Sequence, residues 1–109
     1  MLDTYAVIAE PSRRRILDRL LQSDSSVTEL VNELGLSQPL ISKHLRTLRE
    51  SGLVEVKVEA QRRIYSLNAE PLADVDEWLS AYRKKWSRHV DALAVHLDRK
   101  KSLREESTE

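Results

Sequence analysis

The stretch LSQPLISKHLRTLRESGLV, residues 36–54, has the pattern of a short helix with two clearly marked ends. Ser37 stands at the N-cap position, where its hydroxyl can accept a hydrogen bond from a free backbone N–H. Pro39 falls in the first turn, where a missing N–H costs nothing, and Gly52 follows the last turn, where a left-handed residue commonly ends a helix. The apolar residues recur at helical spacing and predict a buried face: Leu36, Ile41, Leu45 and Leu48.

The opposite side of this helix carries four hydrogen-bonding side chains: Gln38, Ser42, Lys43 and Arg46. Glutamine and lysine can read base edges in the major groove of DNA, serine can bond either a base or a phosphate, and arginine neutralises phosphate. The pattern therefore predicts a helix that lies in the major groove.

The preceding segment, VTELVNELG (residues 27–35), predicts another helix. Ser26 and Glu29 fit a capping box, in which a serine caps the helix and an acidic residue three positions later reaches back. Gly35 ends this helix and begins a three-residue turn to the next one. Two short helices joined in this way are typical of a helix-turn-helix, and an ordinary αα-hairpin in a helical core is the alternative.

A β-hairpin is predicted directly after the two helices. Residues 53–59 and 63–67 each alternate apolar and polar side chains with period two, as half-buried strands do. Residues 60–62 can form the turn between them. Arg62 and Arg63 then lie near the tip, where they suit a phosphate or minor-groove contact. For Arg62, the alternative is a solvated edge charge that limits aggregation.

These segments together resemble the ArsR-type winged-helix repressors of prokaryotes. The resemblance is specific over SQPLISKHLRTLRESGLV (residues 37–54), is supported by VTELVNELG and RRIYSL (residues 62–67), and covers roughly residues 3–98. It implies a mostly α-helical chain with a small β-hairpin, a winged helix-turn-helix that dimerises through its terminal helices. It also implies a homodimer that binds double-stranded DNA at a palindromic operator and usually represses transcription.

Carried over residue by residue, the resemblance places base and phosphate contacts at four positions: Gln38, Pro39, Ser42 and Lys43. Together with the helix and hairpin patterns, it gives the expected DNA-binding residues Ser37, Gln38, Pro39, Ser42, Lys43, Arg46, Arg62 and Arg63. His44 lies beside this face, and it is either a partly buried packing residue or a neighbour of the DNA.

The chain departs from the family at its metal-binding positions. Many members sense thiophilic metals through a cysteine pair, but Ser26 and Thr28 stand there and the chain has no cysteine. Soft metals need thiolates, which a hydroxyl replaces poorly. The last helix offers His89 and His96 on one face, without the spacing that the family's other metal site requires. We therefore expect no metal and no cofactor; a metal- or small-molecule-responsive repressor is the alternative.

The wing tip is a further departure, because Ala60-Gln61 stands where the family usually has Gly-Arg. Without glycine the turn loses easy access to positive φ, and without arginine it loses one contact. The sequence leaves open how deeply the hairpin inserts.

The two ends of the chain are expected to form a dimer interface. Residues 4–9 predict a short apolar helix, and Pro11 opens the next helix. The predicted core face of that helix consists of Ile16, Leu17, Leu20 and Leu21. After residues 68–71 a helix reaches to about Arg99, and its apolar stripe is too long for this chain to cover alone. The expected interface residues are Tyr5, Trp78, Tyr82, Trp86, Leu93 and Leu97, and a ligand pocket around the tryptophans is the alternative.

Three consecutive arginines, Arg13, Arg14 and Arg15, crowd the start of the second predicted helix. Positive charge in a first turn opposes the helix dipole, so these side chains need another reason to be there. Phosphate contacts, salt bridges and a solvated face are the open interpretations.

Length and charge agree with one DNA-binding domain. A chain of 109 residues can bury one modest core, so residues 1–99 are expected to form the DNA-binding and dimerisation domain, with residues 100–109 as a polar, disordered tail. The formal net charge is zero, but residues 36–67 carry six basic and three acidic side chains. The positive excess therefore lies on the predicted reading unit.

Other classes of protein fit the sequence less well. There is no apolar run of spanning length and no signal-peptide pattern, so we expect a cytoplasmic protein without membrane contact. A glycine-rich phosphate loop and a Ser/His/Asp arrangement are both missing from the sequence, and we expect no enzyme. A winged-helix protein-interaction module without DNA function is the alternative from another class.

Overall fold

Both predicted motifs, the helix-turn-helix and the hairpin, occur in the computed structural model, which describes residues 3–87. The chain divides into a first unit, Met1–Val75, and a second unit, Asp76–Glu109. The elements of the first unit are α1 (Thr4–Ile8), α2 (Pro11–Gln22), β1 (Ser25–Ser26), α3 (Val27–Leu34), α4 (Gln38–Glu50), β2 (Val54–Glu59) and β3 (Arg62–Leu67). Residues 72–75 of the first unit and residues 76–87 of the second unit are also helical.

Several sequence predictions lie outside the described residues. They are the extension of the last helix to Arg99, the interface residues Leu93 and Leu97, the histidines His89 and His96, and the tail 100–109 with the domain boundary before it.

The predicted helix ends are confirmed. Ser37 caps α4 by accepting a hydrogen bond from the backbone N–H of Leu40 at 3.4 Å. Gly35 and Gly52 follow α3 and α4 with φ of 67° and 81°, in the left-handed region that glycine adopts without strain. These local signals fix a tight turn between the two helices, and the result is a helix-turn-helix.

The capping box of α3 is only partly as predicted. The Ser26 hydroxyl accepts a hydrogen bond from the Glu29 backbone N–H at 3.3 Å, as expected. The Glu29 carboxylate, however, accepts a bond from the Ser26 hydroxyl at 3.2 Å. Both hydrogen bonds join Ser26 and Glu29. The Glu29 carboxylate therefore lies close to β1, the strand to which Ser26 belongs.

The hydrophobic core lies between the helices of the first unit and one face of the sheet. Its most deeply buried members are Ile16, Leu30, Ile41, Leu45, Leu48 and Leu53. The predicted buried face of α4 is confirmed, with Leu36 partly buried against the same cluster. The prediction for Leu21 is wrong, since 72% of this residue is exposed. It lies in the last turn of α2, beyond Leu20, where the buried positions of that helix end.

The sheet has three antiparallel strands in the order β1-β3-β2, so the hairpin predicted from the sequence gains a strand that was not predicted. Strand β1 has only two residues, which pair with Tyr65 and Ile64 of β3. Two residues are too few to show an alternating pattern, and Ser26 is also the cap of α3. The turn between β2 and β3 consists of residues 60–61, and Ala60 adopts φ 54°.

The three arginines at the start of α2 bond backbone carbonyls, which none of the open interpretations anticipated. Arg14 donates to the carbonyl oxygen of Ile8 at 2.8 Å, and Arg15 donates to that of Leu34 at 2.8 Å. Arg13 likewise reaches a carbonyl of α1 at 3.2 Å. The last carbonyls of a helix lack partners within the helix, so these cations cap α1 and α3 and fasten both to α2.

A two-point ion pair joins α2 to α3. The Arg19 guanidinium donates from Nε to Glu33 Oε2 and from Nη2 to Glu33 Oε1, the second bond at 3.2 Å. The hydrogen bond from Arg19 lowers the pKa of the Glu33 carboxyl below its ordinary value. The carboxylate therefore stabilises the fold above the ordinary pKa of about 4.5 and stops doing so as pH falls through its lower folded value.

Glu33→Gln is expected to lower the midpoint of urea unfolding near neutral pH, because it removes the charge that holds Arg19. The difference from the wild type should shrink as pH falls below about 4.5, since protonation neutralises the wild-type carboxyl as well. The double variant Arg19→Gln/Glu33→Gln completes a thermodynamic cycle as the control. A coupling between the two residues that stays constant from neutral to acidic pH would contradict this account.

Candidate nucleic-acid interface

Helix α4 presents one polar side to solvent. The six residues predicted there from the sequence are all exposed: Ser37, Gln38, Pro39, Ser42, Lys43 and Arg46. Ile41 and Leu45, which alternate with them along the helix, are 0% and 1% exposed and belong to the core. Because the buried side is fixed by packing, the polar side has one orientation relative to the rest of the first unit.

The start of α4 is the part best suited to approach a base pair. Ser37 and Gln38 stand at the N-cap and the first helical position, and Pro39 follows in the first turn. The N-terminus of a helix carries partial positive charge and free N–H groups, both of which favour a nearby phosphate. Gln38 can make a bidentate contact with adenine through its amide.

Arginine side chains extend this surface toward the end of α4. The Arg46 side chain is 83% exposed, and its Nε lies 3.3 Å from Oε1 of Glu50, four residues later. Arg49 also lies on the exposed side and was missed in the sequence analysis. Its spacing of seven residues from Ser42 was the available signal. Arg46 and Arg49 line an open groove together with Glu50, and its other wall is β2, with Val54, Glu55 and Val56.

The hairpin brings its two arginines to the solvent, as predicted. Arg62 and Arg63 are both exposed, and they begin β3, so the turn is one residue shorter than expected. Arg62 has a partner in the structure, because its Nη2 donates to Oε1 of Glu29 at 2.7 Å. Ala60 reaches positive φ without glycine, at a modest conformational cost.

His44 is a packing residue of α4. It is 7% exposed and faces α2. Arg13 Nε donates to His44 Nδ1 at 3.4 Å, and the other ring nitrogen lies 3.7 Å from Oε2 of Glu10. Its contacts therefore support the orientation of α4, and the exposed polar residues lie on the other side of the helix.

The four predicted interface residues that fall within residues 3–87 are exposed in the single chain. In the first unit Tyr5 is 40% exposed, and its hydroxyl donates to the backbone oxygen of Asp74 at 3.1 Å. In the second unit Trp78, Tyr82 and Trp86 are 54%, 52% and 40% exposed. The rings of Trp78 and Tyr82 pack together with their centroids 5.0 Å apart.

Among residues 3–87, no three histidine, cysteine, aspartate or glutamate side chains lie close enough to hold a metal ion. Within the same residues, no helix has both the length and the apolar character that crossing a membrane requires.

The chain is similar to known bacterial regulators. The family model for the bacterial regulatory proteins of the arsR family matches residues 10–56. The transcriptional repressor SdpR of Bacillus subtilis is 31% identical over 85 residues, which cover 78% of this chain and 94% of SdpR. The transcriptional activator HlyU of Vibrio cholerae is 44% identical over 62 residues, 57% of each chain. A solved structure of a possible transcriptional regulator for arsenical resistance aligns with TM-score 0.68 at 32% identity, covering 88% of this chain and 97% of that one.

Ser37→Ala is expected to destabilise the protein by about 1 kcal/mol, because it removes the side-chain acceptor of the Leu40 N–H. Ser37→Asp keeps an acceptor and adds a favourable charge at the helix N-terminus, so it should preserve stability. Urea unfolding measures both variants. Ser42→Ala, at an exposed position of the same helix, is the control and should stay within about 0.5 kcal/mol of the wild type. Equal effects of the two alanine variants would contradict a capping role for Ser37.

Proposed function

Because the chain belongs to the ArsR family of bacterial regulatory proteins, DNA-binding transcriptional regulators rather than enzymes, we propose that it acts as a homodimer on a palindromic operator. In this proposal α4 of each subunit lies in a major groove, and the hairpin contacts the adjacent backbone or minor groove. Its place of action is the cytoplasm, where bacterial DNA is found.

The observation that carries the proposal is the exposed polar side of α4 over a fully buried apolar side. A helix that reads DNA must keep its orientation while its side chains reach base edges. The core contacts of Ile41 and Leu45 supply the first condition, and the exposure of Gln38, Ser42 and Lys43 supplies the second. The residues that we propose to contact DNA are Ser37, Gln38, Pro39, Ser42, Lys43, Arg46 and Arg63, with Arg49 added from the groove beside β2. Arg62 belongs to the same interface through the hairpin.

A two-fold dimer follows from the same reasoning. One α4 can read only a few base pairs, and a second copy related by a two-fold axis doubles the site and makes it palindromic, with half-sites about 10 bp apart. The exposed aromatic side chains of Tyr5, Trp78, Tyr82 and Trp86 supply apolar surface for such an interface. Part of the proposed interface, Leu93 and Leu97, lies outside the described residues.

Repression is the direction of regulation that we propose. The relatives include a protein named as a repressor and one named as an activator. The match to the repressor covers 94% of that protein, and the match to the activator covers 57% of that one. The repressor therefore provides the fuller comparison.

Gln38→Ala is expected to weaken binding to the specific site by roughly 1–3 kcal/mol and to relax sequence preference at one position of each half-site. The site is first obtained by selecting duplexes from a random-sequence library with the wild-type protein. Fluorescence anisotropy then compares the selected duplex with a scrambled one of equal length. Gln22→Ala, at an exposed glutamine that ends α2, is the matched control. Equal affinities of the two variants for the selected duplex would show that Gln38 reads no base.

Trp86→Glu is expected to give monomers in analytical ultracentrifugation at micromolar concentration, because it buries a charge in the proposed dimer interface. Leu21→Glu is the matched control: Leu21 is also an exposed apolar residue, but it lies on α2, outside the proposed interface. Circular dichroism verifies that both variants stay folded. A wild-type protein that sediments as a monomer, or a Trp86→Glu variant that stays dimeric, would contradict the proposed interface.

A further inference from the structure

The two arginines of the hairpin lie on opposite faces of it. In the antiparallel ladder Arg63 is paired with Val58, Tyr65 with Val56, and Arg62 with Glu59. Directly paired residues project to the same face, and neighbours along a strand project to opposite faces. Arg63 therefore shares a face with Tyr65 and Val56, and Arg62 projects from the other face.

The face that carries Arg63 is the one that packs on the hydrophobic core, to which α4 also contributes Ile41, Leu45 and Leu48. Its inner part is buried in the core, with Val54 and Tyr65 at 3% and 6% exposed. Val54 and Val56 also line, together with Glu55, the groove that Arg46 lines. Farther out, Val58 and Arg63 are exposed on this face. Arg63 therefore lies on the outer, exposed part of the face whose inner part packs in the core, and Arg62 does not share that face.

The other face is fastened to α3. Arg62 Nη2 donates to Glu29 Oε1 at 2.7 Å, and the same oxygen accepts the Ser26 hydroxyl at 3.2 Å. Ser26 belongs to β1, and it is paired with Ile64 of β3. Glu29 of α3 therefore contacts both Arg62 of β3 and Ser26 of β1, and Ser26 in turn pairs with β3. The start of α3 and the start of β3 are held together by these contacts.

The hairpin needs this connection because its outer part has only two strands. Strand β1 ends at Ser26, opposite Ile64, so Arg62 and Arg63 lie beyond the third strand. A two-stranded ribbon is marginally stable and twists easily. An ion pair between α3 and the first residue of β3 restricts that twist at the position where the arginines project.

We propose that Arg62 is a positioning residue, whose ion pair with Glu29 holds the hairpin so that Arg63 contacts the DNA backbone. This inference rests on the proposed DNA-binding function and assigns different roles to two arginines that the sequence pattern treats alike. It makes Glu29, an acidic residue, a requirement for tight DNA binding.

The sign of one substitution decides between this role and a direct phosphate contact. Glu29→Gln removes a negative charge and releases Arg62. If Arg62 binds phosphate itself, the variant should bind DNA more tightly; if Arg62 positions the hairpin, it should bind more weakly, by about fivefold. Glu50→Gln is the matched control, because it removes the carboxylate paired with Arg46 on the DNA-facing side and should strengthen binding by about twofold.

Binding is measured by anisotropy with a labelled duplex selected by the wild-type protein, at one fixed ionic strength. Arg62→Ala should weaken binding in the wild-type background and have no further effect in Glu29→Gln. Arg63→Ala should weaken binding in both backgrounds and lower the salt dependence by about one phosphate. The proposal would be overturned if Arg62→Ala weakened DNA binding as much in the Glu29→Gln background as it does in the wild type. Tighter DNA binding by Glu29→Gln alone would also overturn it.

A measurement without DNA tests the ion pair separately. Backbone ¹⁵N order parameters for residues 58–63 should fall in Glu29→Gln, from about 0.85 toward about 0.6, and should stay unchanged in Glu50→Gln and Arg63→Ala. Unchanged order in Glu29→Gln would overturn the positioning role whatever the DNA titrations give. A wild-type protein that enriches no duplex would overturn the proposed function, and with it the role of Arg63, even where the order parameters fall as expected.

Discussion

The burial of Ile41, Leu45 and Leu48 along one side of α4 is the constraint on which the rest of the interface depends. A fully buried aliphatic side chain contributes about 1.5–3 kcal/mol, more than most single surface contacts. These three residues therefore decide which side of the helix meets solvent. Gln38 and Ser42 point outward as a consequence, because they occupy the positions that the core does not use.

Polar contacts then hold the neighbouring helices against this core. The side chains at the start of α2 cap the carbonyl ends of α1 and α3, and Arg13 also bonds the buried ring of His44 on α4. Each contact satisfies a group that would otherwise lack a partner, which matters more than the strength of the bond itself. A single turn of α2 thus connects three helices, and this explains why a run of like charge is compatible with a helix start.

The sequence was sufficient for the parts of this fold whose causes are local. The caps Ser26 and Ser37 and the left-handed Gly35 and Gly52 act within a few residues, so their spacing alone predicted both helices of the motif. The candidate site on α4 followed from the same periodicity. The dimer contacts could be proposed only from the unfilled apolar stripe and the family resemblance.

The missed features depend on residues that are distant in the sequence. Strand β1 is two residues long and exists because β3 lies beside it. The carbonyl contacts of Arg15 and the ion pair of Arg62 join elements 19 and 33 positions apart, which no spacing rule can indicate. Leu21 fits the helical period as well as Leu20 does. The two differ because Leu20 is buried in the hydrophobic core and Leu21 is exposed to solvent.

The arrangement of carboxylates determines what the basic residues of this chain can do. Arg46 and Arg62 each have a glutamate partner, but Glu50 lies on the same helix as Arg46, and Glu29 lies on a different element from Arg62. A pair within one helix orients only its own two side chains, and DNA can displace it at small cost. A pair between α3 and β3 fixes one element relative to another, so breaking it releases a strand as well as a side chain. The number of positive charges on residues 36–67 therefore determines how strongly this segment attracts DNA. The positions of the glutamate partners determine which elements of the fold the ion pairs hold together.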